Sequence, residues 1–404
     1  MAEQEKEENK KPISFLQTFF EDRNTPLVYD KVQETVTGNV LFERADSEVP
    51  NELKKVYSIT DIPGFLELKV NHHLEVYKSK SCDLFDGFLV NLKKYNGVED
   101  YLKDNFGKNG RSKIRRYIKR LELCIEPTYK MYYGEIEEAE YNKLFDRLRE
   151  LMMRRFSQKQ EENIELPVLE EYRGLMRKMI INKQASLFVI YHGEKPIDIC
   201  MNIIYDNIVT SYNSSYDIDY EVFSLGTIDV MKHVEWCFDQ GFDIFDMGRG
   251  DYLYKRRWTN HKYQYRRELV YDTSSVYHST LSNLKMSYNQ YKYDFIQFLK
   301  KFGVQHLYGK YYQLHYLIFK KNLHVELHEK YDVTMEFDMP EAQSLLSVDI
   351  TQEQNTWLIK PINDFIYRAH EKYHQVKVVQ DRKNKQLYYL LGEKKNLLVK
   401  VKNQ

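Results

Sequence analysis

The chain has 404 residues, of which 42% are hydrophobic, so it is long enough for two domains, or one large elaborated domain, with a sizeable core. Sixty basic residues balance sixty acidic ones, so no global field recruits nucleic acid or a membrane, and electrostatic selectivity has to come from local clusters. The four cysteines contain no C-x-x-C pair, which argues against a metal knuckle or a redox dithiol. The start of the chain is charged, and no run of about 18 apolar residues occurs, so the sequence predicts neither a signal peptide nor a membrane span and favours the cytoplasm.

The first part of the chain predicts strands followed by a helix. Alternation over Leu27–Arg44 is typical of strands, and Leu84–Val90 predicts a short strand or the entry to a helix. Val98–Phe106 predicts a helix, and Gly107 and Gly110 are expected to break it.

A second predicted helix, over Ser112–Leu123, is basic and amphipathic. Its apolar residues fall on one face at spacings of four and three, and they are Ile114, Ile118 and Leu121. Its cations fall largely on the other faces, and they are Lys113, Arg115, Arg116, Lys119 and Arg120. Two interpretations stay open: a solvated face beside a core stripe, or a surface that faces phosphate groups, for which the arginine fork is suited.

The middle of the chain predicts a regular order of elements. A strand is expected over Thr128–Tyr133, followed by helices over Ile136–Phe156 and Leu166–Ile181. Three consecutive antiparallel strands are expected over Leu187–Tyr191, Ile197–Tyr205 and Ile208–Tyr212. A helix over Ser224–Gly241 and strands over Phe242–Met247 and His261–Tyr271 complete the order. Ser224 suits the N-cap of the helix, and Gly241 suits its C-terminal end. The remainder predicts helices and a final hairpin over Leu281–Phe302, Gln305–Lys320, Pro361–Tyr373 and Val376–Val401.

Three short motifs inside this order resemble those of one protein superfamily. They are Tyr216–Tyr220, Ser224–Thr227 at the start of a helix, and Gly241–Gly248 followed by Gly250, Asp251, Tyr254, Lys255 and Trp258. Together with the element order, they resemble the cellulose-biosynthesis-associated branch of the GNAT acyltransferases, a branch related to the Fem-type aminoacyl transferases. The resemblance implies an α/β fold with a mixed central sheet. The Fem-type relation implies a tandem arrangement in which the N-terminal segment is a second, degenerate half.

The chain is expected to divide into four parts, and the resemblance itself covers only about 150 residues in the middle. Residues 1–12 are expected to form a disordered tail, and residues 13–127 the N-terminal half. Residues 128–272 are expected to form the acyltransferase domain, and residues 273–404 an extension of helices and short strands.

For the acyl donor, the resemblance implies acetyl-CoA, bound where two central strands splay. A helix N-terminus carries unpaired N–H donors and about half a positive charge, so main-chain groups can bind a pyrophosphate. On this chain the pyrophosphate would lie at the segment Phe223, Ser224, Leu225, Gly226 and Thr227, where Gly226 permits close approach of the backbone. The alternative interpretation is an ordinary helix start.

For the acceptor, the resemblance implies a small amine, with a sugar or polysaccharide precursor suggested by the branch. Direct transfer needs a deprotonated amine, a donor to the developing oxyanion and a proton source for the leaving thiolate. The candidate catalytic residues are Asp246, Asp251, Tyr254 and Lys255, and the candidates for substrate contact are Tyr212, Ser214 and Arg249. Asp246 also fits a structural role, as a carboxylate that caps the next turn or pairs with Arg249.

Other chemistries are disfavoured by spacing. The twelve histidines show no H-x-x-H pattern and a single H-E-x-x-H spacing, at His370–His374; no metal site is predicted, and no serine lies in G-x-S-x-G. Two alternatives remain. One is a Fem-type transferase that uses aminoacyl-tRNA, whose RNA backbone the helix over Lys113–Arg120 would contact. The other is a non-catalytic interaction protein that retains the fold.

Overall fold

The computed structural model describes residues 12–45, 54–160, 166–302 and 331–402. Its strands β1–β17 are, in order, Ile13–Ser14, Tyr29–Glu34, Val40–Glu43, Val56–Pro63, Leu66–Val70, Tyr77–Asn91, Thr128–Tyr132, Ala185–His192, Lys195–Tyr205, Ile208–Tyr216, Ile244–Arg249, His261–Asp272, Tyr331–Thr334, Leu345–Ser347, Lys377–Asp381, Leu387–Leu391 and Asn396–Val401. Its α-helices α1–α8 are Val98–Asn105, Lys108–Ile125, Glu138–Lys159, Leu166–Ile181, Leu225–Gln240, Leu253–Trp258, Val276–Lys301 and Ile359–Ala369. None of the helices within these described ranges is both long enough and apolar enough to cross a membrane.

The chain forms two compact units, and each draws on separate stretches of sequence. The first unit holds the described residues within 1–105, 203–212 and 234–309, and the second holds those within 106–202, 213–233 and 310–404. The fourfold division expected from the sequence stays a prediction. The expected tail over 1–12 falls almost wholly outside the described residues, and the expected helix over Gln305–Lys320 falls entirely outside them.

The first unit is built on a mixed sheet in the order β1-β4-β12-β6-β11-β10. The pairs β1–β4 and β10–β11 are parallel, whereas β12 pairs antiparallel with both β4 and β6. A second sheet has the order β3-β2-β5. Large side chains fill the interior, with Phe15, Phe19, Tyr29, Phe65 and Tyr265 all nearly inaccessible to solvent. The ambiguous stretch Leu84–Val90 is strand, because it continues the long strand β6.

The second unit contains the strand order β10-β9-β8-β7 and a five-stranded sheet in the order β13-β17-β16-β15-β14. One apolar core joins helix α2, the start of α5, helix α8 and the C-terminal strands, with Leu121, Phe223, Phe365 and Val399 all buried in it. The final stretch predicted as a hairpin therefore contributes three strands to a larger sheet.

Helix α2 differs from its predicted start. Gly110 was expected to interrupt helical structure, but it lies inside a helix that begins at Lys108, directly after Gly107. The apolar spacing explains the continuation, because Ile114, Leu121 and Ile125 bury one face. The helix ends at Glu126, which adopts a left-handed conformation, and its N–H donates to the Glu122 carbonyl.

Candidate functional site

Strands β10 and β11 open a site in the first unit. They pair in parallel from Ile208 opposite Ile244 to Thr210 opposite Asp246, and the pairing ends there although both strands continue. The register of β11 against β6 shifts between Asp246 and Arg249, which marks a bulge. Parallel strands that part at their carboxyl ends leave a crevice, and such crevices are where open α/β sheets bind ligands.

Asp246 is buried at the point where the strands part, with 1% of its surface exposed. The Tyr263 hydroxyl donates to this carboxylate and lies 2.9 Å from both of its oxygens, and the Gly248 N–H donates to Oδ1 at 2.9 Å. Burial raises the pKa of Asp246 to about 6, although the bonds from Gly248 and Tyr263 and the charge of Lys255 oppose the rise. A carboxyl group in this environment can exchange a proton near neutral pH.

Tyr263 and Tyr265 extend this group, and the sequence analysis did not select them. Both side chains are buried on β12, and their hydroxyl oxygens are 3.0 Å apart. Gly87 on the neighbouring strand makes room for them, because a Cβ there would lie 2.3 Å from the Tyr263 ring. A glycine within a strand commonly marks such a close approach, so Gly87 was the available signal.

Lys255 was predicted as a candidate catalytic residue, and in the structure its ammonium binds main-chain carbonyls. Its ammonium is buried and donates to the carbonyls of Met247 at 2.6 Å and Arg249 at 2.5 Å. These bonds fix the turn after β11, in which Gly248 and Gly250 take positive φ values of 69° and 104°.

The remaining candidates of the first unit lie at the surface. Asp251 pairs with Arg256, and this bond lowers the pKa of the carboxyl group. Tyr254 stacks on Tyr252 with ring centroids 5.9 Å apart, and both rings are largely exposed. The Arg249 and Tyr212 side chains are also exposed. Within this unit the structure therefore brings Asp246, Lys255 and the Arg249 main chain together, whereas Asp251 is held by Arg256.

The predicted pyrophosphate segment lies in the second unit, at the start of α5. Phe223 and Leu225 point into the core, whereas Ser224, Gly226 and Thr227 are half-buried. Ser224 takes a left-handed conformation with a φ of 60°, and its carbonyl accepts from the Thr227 N–H at 2.9 Å. A Cβ added to Gly226 would meet only the Tyr216 ring edge, at 3.9 Å, among the described atoms, so the backbone is approachable on that side. Ser214, on β10 of the same unit, is exposed.

Cationic side chains adjoin this helix start within the second unit. The Tyr117 hydroxyl on α2 forms hydrogen bonds with Ser224 and Lys113. Burial raises the pKa of Tyr117, but these bonds and the charges of Lys113 and Arg116 outweigh burial, and the pKa is lowered. The Arg155 guanidinium lies 4.5 Å from the centre of the Tyr216 ring. The helix dipole and these cations act in the same direction on an anion.

Asp217 anchors the turn that leads to the same helix. Its carboxylate is fully buried and accepts from Arg147 at 2.6 Å, Arg154 at 2.7 Å and Lys195 at 2.9 Å. Burial alone would raise the pKa of this carboxyl group, but the three cations together lower it to about 2.

One buried cluster in the second unit contains side chains of metal-ligating type. Ligand atoms of Cys200, Asp229 and His233 all lie within 4.8 Å of one another. Both ring nitrogens of His233 have partners, since Nδ1 lies 2.8 Å from the Asp229 carbonyl and Nε2 lies 3.0 Å from the Asn202 amide nitrogen. To bind a metal, His233 would have to give up one of these contacts, so the cluster fits a hydrogen-bonded core better than a metal centre.

Residues 108–256 match the family model of the acetyltransferase (GNAT) domain. The match covers less than half of the chain and marks these residues as similar to an acyltransferase domain. The match includes the start of α5 and the turn after β11. The α/β fold class with a mixed sheet, predicted from the sequence, is confirmed. Among curated proteins, none matches the chain.

Several solved structures are similar to this chain at low identity. L-PGS from Bacillus licheniformis is 12% identical, with a TM-score of 0.35 and coverage of 57% of this chain and 72% of its own. FemX is 11% identical, with a TM-score of 0.39 and coverage of 54% and 72%. A tandem GNAT protein from the clavulanic acid biosynthesis pathway is 8% identical, with a TM-score of 0.28 and coverage of 47% and 55%.

Proposed function

We propose that this chain transfers an acyl group, in the first instance acetyl, directly from acyl-CoA to an amine, without a covalent enzyme intermediate. The observation that carries the proposal is the match of residues 108–256 to the acetyltransferase (GNAT) domain. The parting of β10 and β11 after Thr210 and Asp246 supports it, because a thioester held at such an opening is approachable from the strand ends.

The donor is proposed to bind at the segment Phe223–Thr227 through its pyrophosphate. The buried side chains of Phe223 and Leu225 fix the segment, and Gly226 leaves its main chain approachable. The N–H groups at the start of α5 then supply donors and a partial positive charge. Lys113 and Arg116 add full charges beside Ser224 through Tyr117.

The residues proposed to act on the amine acceptor fall into two groups: those that position the turn after β11 and those that contact the substrate. Asp246 and Lys255 are proposed as positioning residues, because one binds the Gly248 N–H and the other binds two carbonyls of the same turn. Arg249, Asp251 and Tyr254, with Tyr212 and Ser214, expose polar atoms and are proposed to contact the amine substrate or the leaving thiolate. Membership of the cellulose-associated branch, and with it an amino-sugar acceptor in the cytoplasm, is proposed on the sequence resemblance alone.

Calorimetry with acetyl-CoA tests the donor assignment. Gly226→Trp places a large side chain over the approachable main chain, so we expect acetyl-CoA to bind at least about tenfold more weakly than to the unaltered protein. Gly174→Trp is the matched control, because Gly174 lies in α4 of the same unit with no described atom within 4 Å of an added Cβ. Equal binding by both variants would refute the placement of the pyrophosphate.

The same titration separates the two donor classes. Saturable binding of acetyl-CoA by the unaltered protein supports acyl-CoA as the donor. Absence of that binding, together with tight and steeply salt-dependent binding of aminoacyl-tRNA, would support the Fem-type alternative instead. Absence of both would leave a non-catalytic interaction protein.

A further inference from the structure

The solvent-facing side of helix α2 forms a cationic groove, and Arg116 is the one residue of its lining that also has a part in the proposed donor site. The groove has a volume of about 760 Å³, and its charged lining consists of Lys108, Arg111, Arg115, Arg116, Lys119 and Arg120. Ser112, Leu123 and His370 complete the lining. These positions recur at spacings of three and four, so the cations form one continuous stripe along the helix.

The charge in this groove is not balanced locally. Glu122 is the single acidic residue in the span of α2. Lys108, Arg116 and Lys119 form no ion pair with any carboxylate in the described part of the chain, and all three side chains are exposed. Because the whole chain has a formal net charge of zero, this concentration of cations is a local property of α2. Uncompensated like charges on one helix repel each other, and a bound anion relieves that repulsion.

Residues near the C-terminal strands add to the positive electrostatic potential of the groove. His370 follows α8, and the Lys394 ammonium donates to its carbonyl at 3.3 Å. Desolvation lowers the pKa of His370, and the charges of Arg120, Lys394 and Lys395 lower it further. The groove is therefore bordered by cations from both α2 and the C-terminal sheet.

The form of the groove distinguishes among anionic partners. The apolar face of α2 is buried in the core through Ile114, Leu121 and Ile125, so it is unavailable for insertion into a membrane. No phenylalanine, tyrosine or tryptophan is among the described residues that line the groove, which disfavours stacking on unpaired bases. Four of the six cations are arginines, whose planar fork suits phosphate oxygens.

The length of the cationic stripe also bears on which anionic partner fits the groove. From Lys108 to Arg120 the helix rises about 18 Å, since each residue adds about 1.5 Å. A nucleic-acid duplex presents roughly ten phosphate charges over that axial distance. A small phosphorylated molecule would engage only part of such a stripe.

We propose that the α2 groove binds the phosphodiester backbone of double-helical nucleic acid, without reading its sequence. The binding goes beyond the proposed acyl transfer from acyl-CoA. Its contacts are charge-assisted hydrogen bonds from the arginines and lysines to phosphate oxygens, so it weakens as salt rises.

Fluorescence anisotropy with labelled duplexes of about 20 base pairs, one RNA and one DNA, measures this binding across a salt series. We expect micromolar binding of at least one duplex at low salt. In the double variant Lys108→Ala and Lys119→Ala, we expect the slope of log affinity against log salt to fall in magnitude by about two. Alanine favours helix at these exposed positions, so the unfolding midpoint of the variant should stay unchanged.

The control variant removes two exposed lysines elsewhere in the same unit, namely Lys178→Ala and Lys377→Ala. It should retain the salt slope of the unaltered protein. The RNA and DNA arms identify which duplex is the better ligand, and binding of either supports the proposal. Equal loss in both variants, preference for a single-stranded oligonucleotide, or binding only to phosphatidylglycerol vesicles would each overturn it. Acetyl-CoA titration of the double variant, which leaves Arg116 in place, keeps this result separate from a failure of the proposed function.

Discussion

Replacing Asp246 with asparagine tests the electrostatics of the first unit. The carboxyl group is buried, and its pKa rises from 3.8 to about 6. A rise of that size corresponds to about 3 kcal/mol between the two protonation states. Because the pKa is raised on folding, the folded protein binds the proton more tightly than the unfolded chain does. The contribution to the free energy of unfolding is therefore greatest below about pH 4 and is lost as the pH rises through about 6.

Asparagine keeps the shape of the side chain and removes the charge. Relative to the unaltered protein, Asp246→Asn should therefore gain up to about 3 kcal/mol in stability between pH 4 and pH 7, as the native carboxylate becomes ionised. Urea midpoints at intervals across this range, for both proteins, measure the difference. The bonds from Gly248 and Tyr263 are already included in the pKa of about 6, so they do not change this pH-dependent gain.

Asp251→Asn is the control, because its carboxyl group sits beside Arg256, which lowers its pKa. The contribution of Asp251 is present above its unfolded pKa and is lost only as the pH falls below that value. The difference between this variant and the unaltered protein should thus stay flat between pH 5 and pH 7. A flat difference for Asp246→Asn over the same range would refute the assignment of a raised pKa to Asp246.

Three further substitutions test the packing and the polar networks, and urea unfolding measures each. Gly87→Ala places a Cβ 2.3 Å from the Tyr263 ring and should cost about 1–3 kcal/mol. Gly97→Ala, with no described atom within 4 Å, should change stability by less than about 0.5 kcal/mol. Lys255→Met leaves two carbonyls without their donor and should cost about 2–4 kcal/mol, while Lys94→Met at an exposed position should be neutral. Asp217→Asn should cost about 3–5 kcal/mol at pH 7, and the difference should shrink as the pH falls toward 2, where the native carboxylate becomes protonated. Unchanged midpoints in Gly87→Ala, Lys255→Met or Asp217→Asn would contradict the contacts described.

The elements of the central region could be predicted from apolar periodicity alone. Helix α4 has the predicted bounds, Leu166–Ile181, and α5 ends at Gly241, which takes the positive φ of 77° that a helix C-terminus often requires. These signals are local, so a single sequence contains them. The assembly of two units from interleaved segments is not local, because it depends on which distant strands pair, as β6 does with both β11 and β12.

The sequence could name the residues around the turn after β11 but not the contacts that they make. Gly248 and Gly250 take positive φ values in this turn, a conformation that glycine adopts readily. The sequence could not show that the Lys255 ammonium turns back onto the carbonyls of its own turn, because that depends on its burial. Tyr263 could not be singled out among 34 tyrosines, since its place in the site comes from its hydrogen bond to Asp246, which lies on a different strand.

The proposed donor-binding segment, Phe223–Thr227, is held in place by contacts other than those of a helix cap. Ser224 was expected to act as an ordinary N-cap, yet it adopts a left-handed backbone, which costs a residue other than glycine about 1 kcal/mol or more. Surrounding groups must therefore maintain it. Asp217 fixes one side of the preceding turn through three cations, and the Asn363 amide donates to the Asp219 carbonyl at 2.9 Å. A helix start fixed in advance loses little entropy when it binds an anion, so this rigidity favours a binding role for Gly226 and its neighbours over an ordinary helix start.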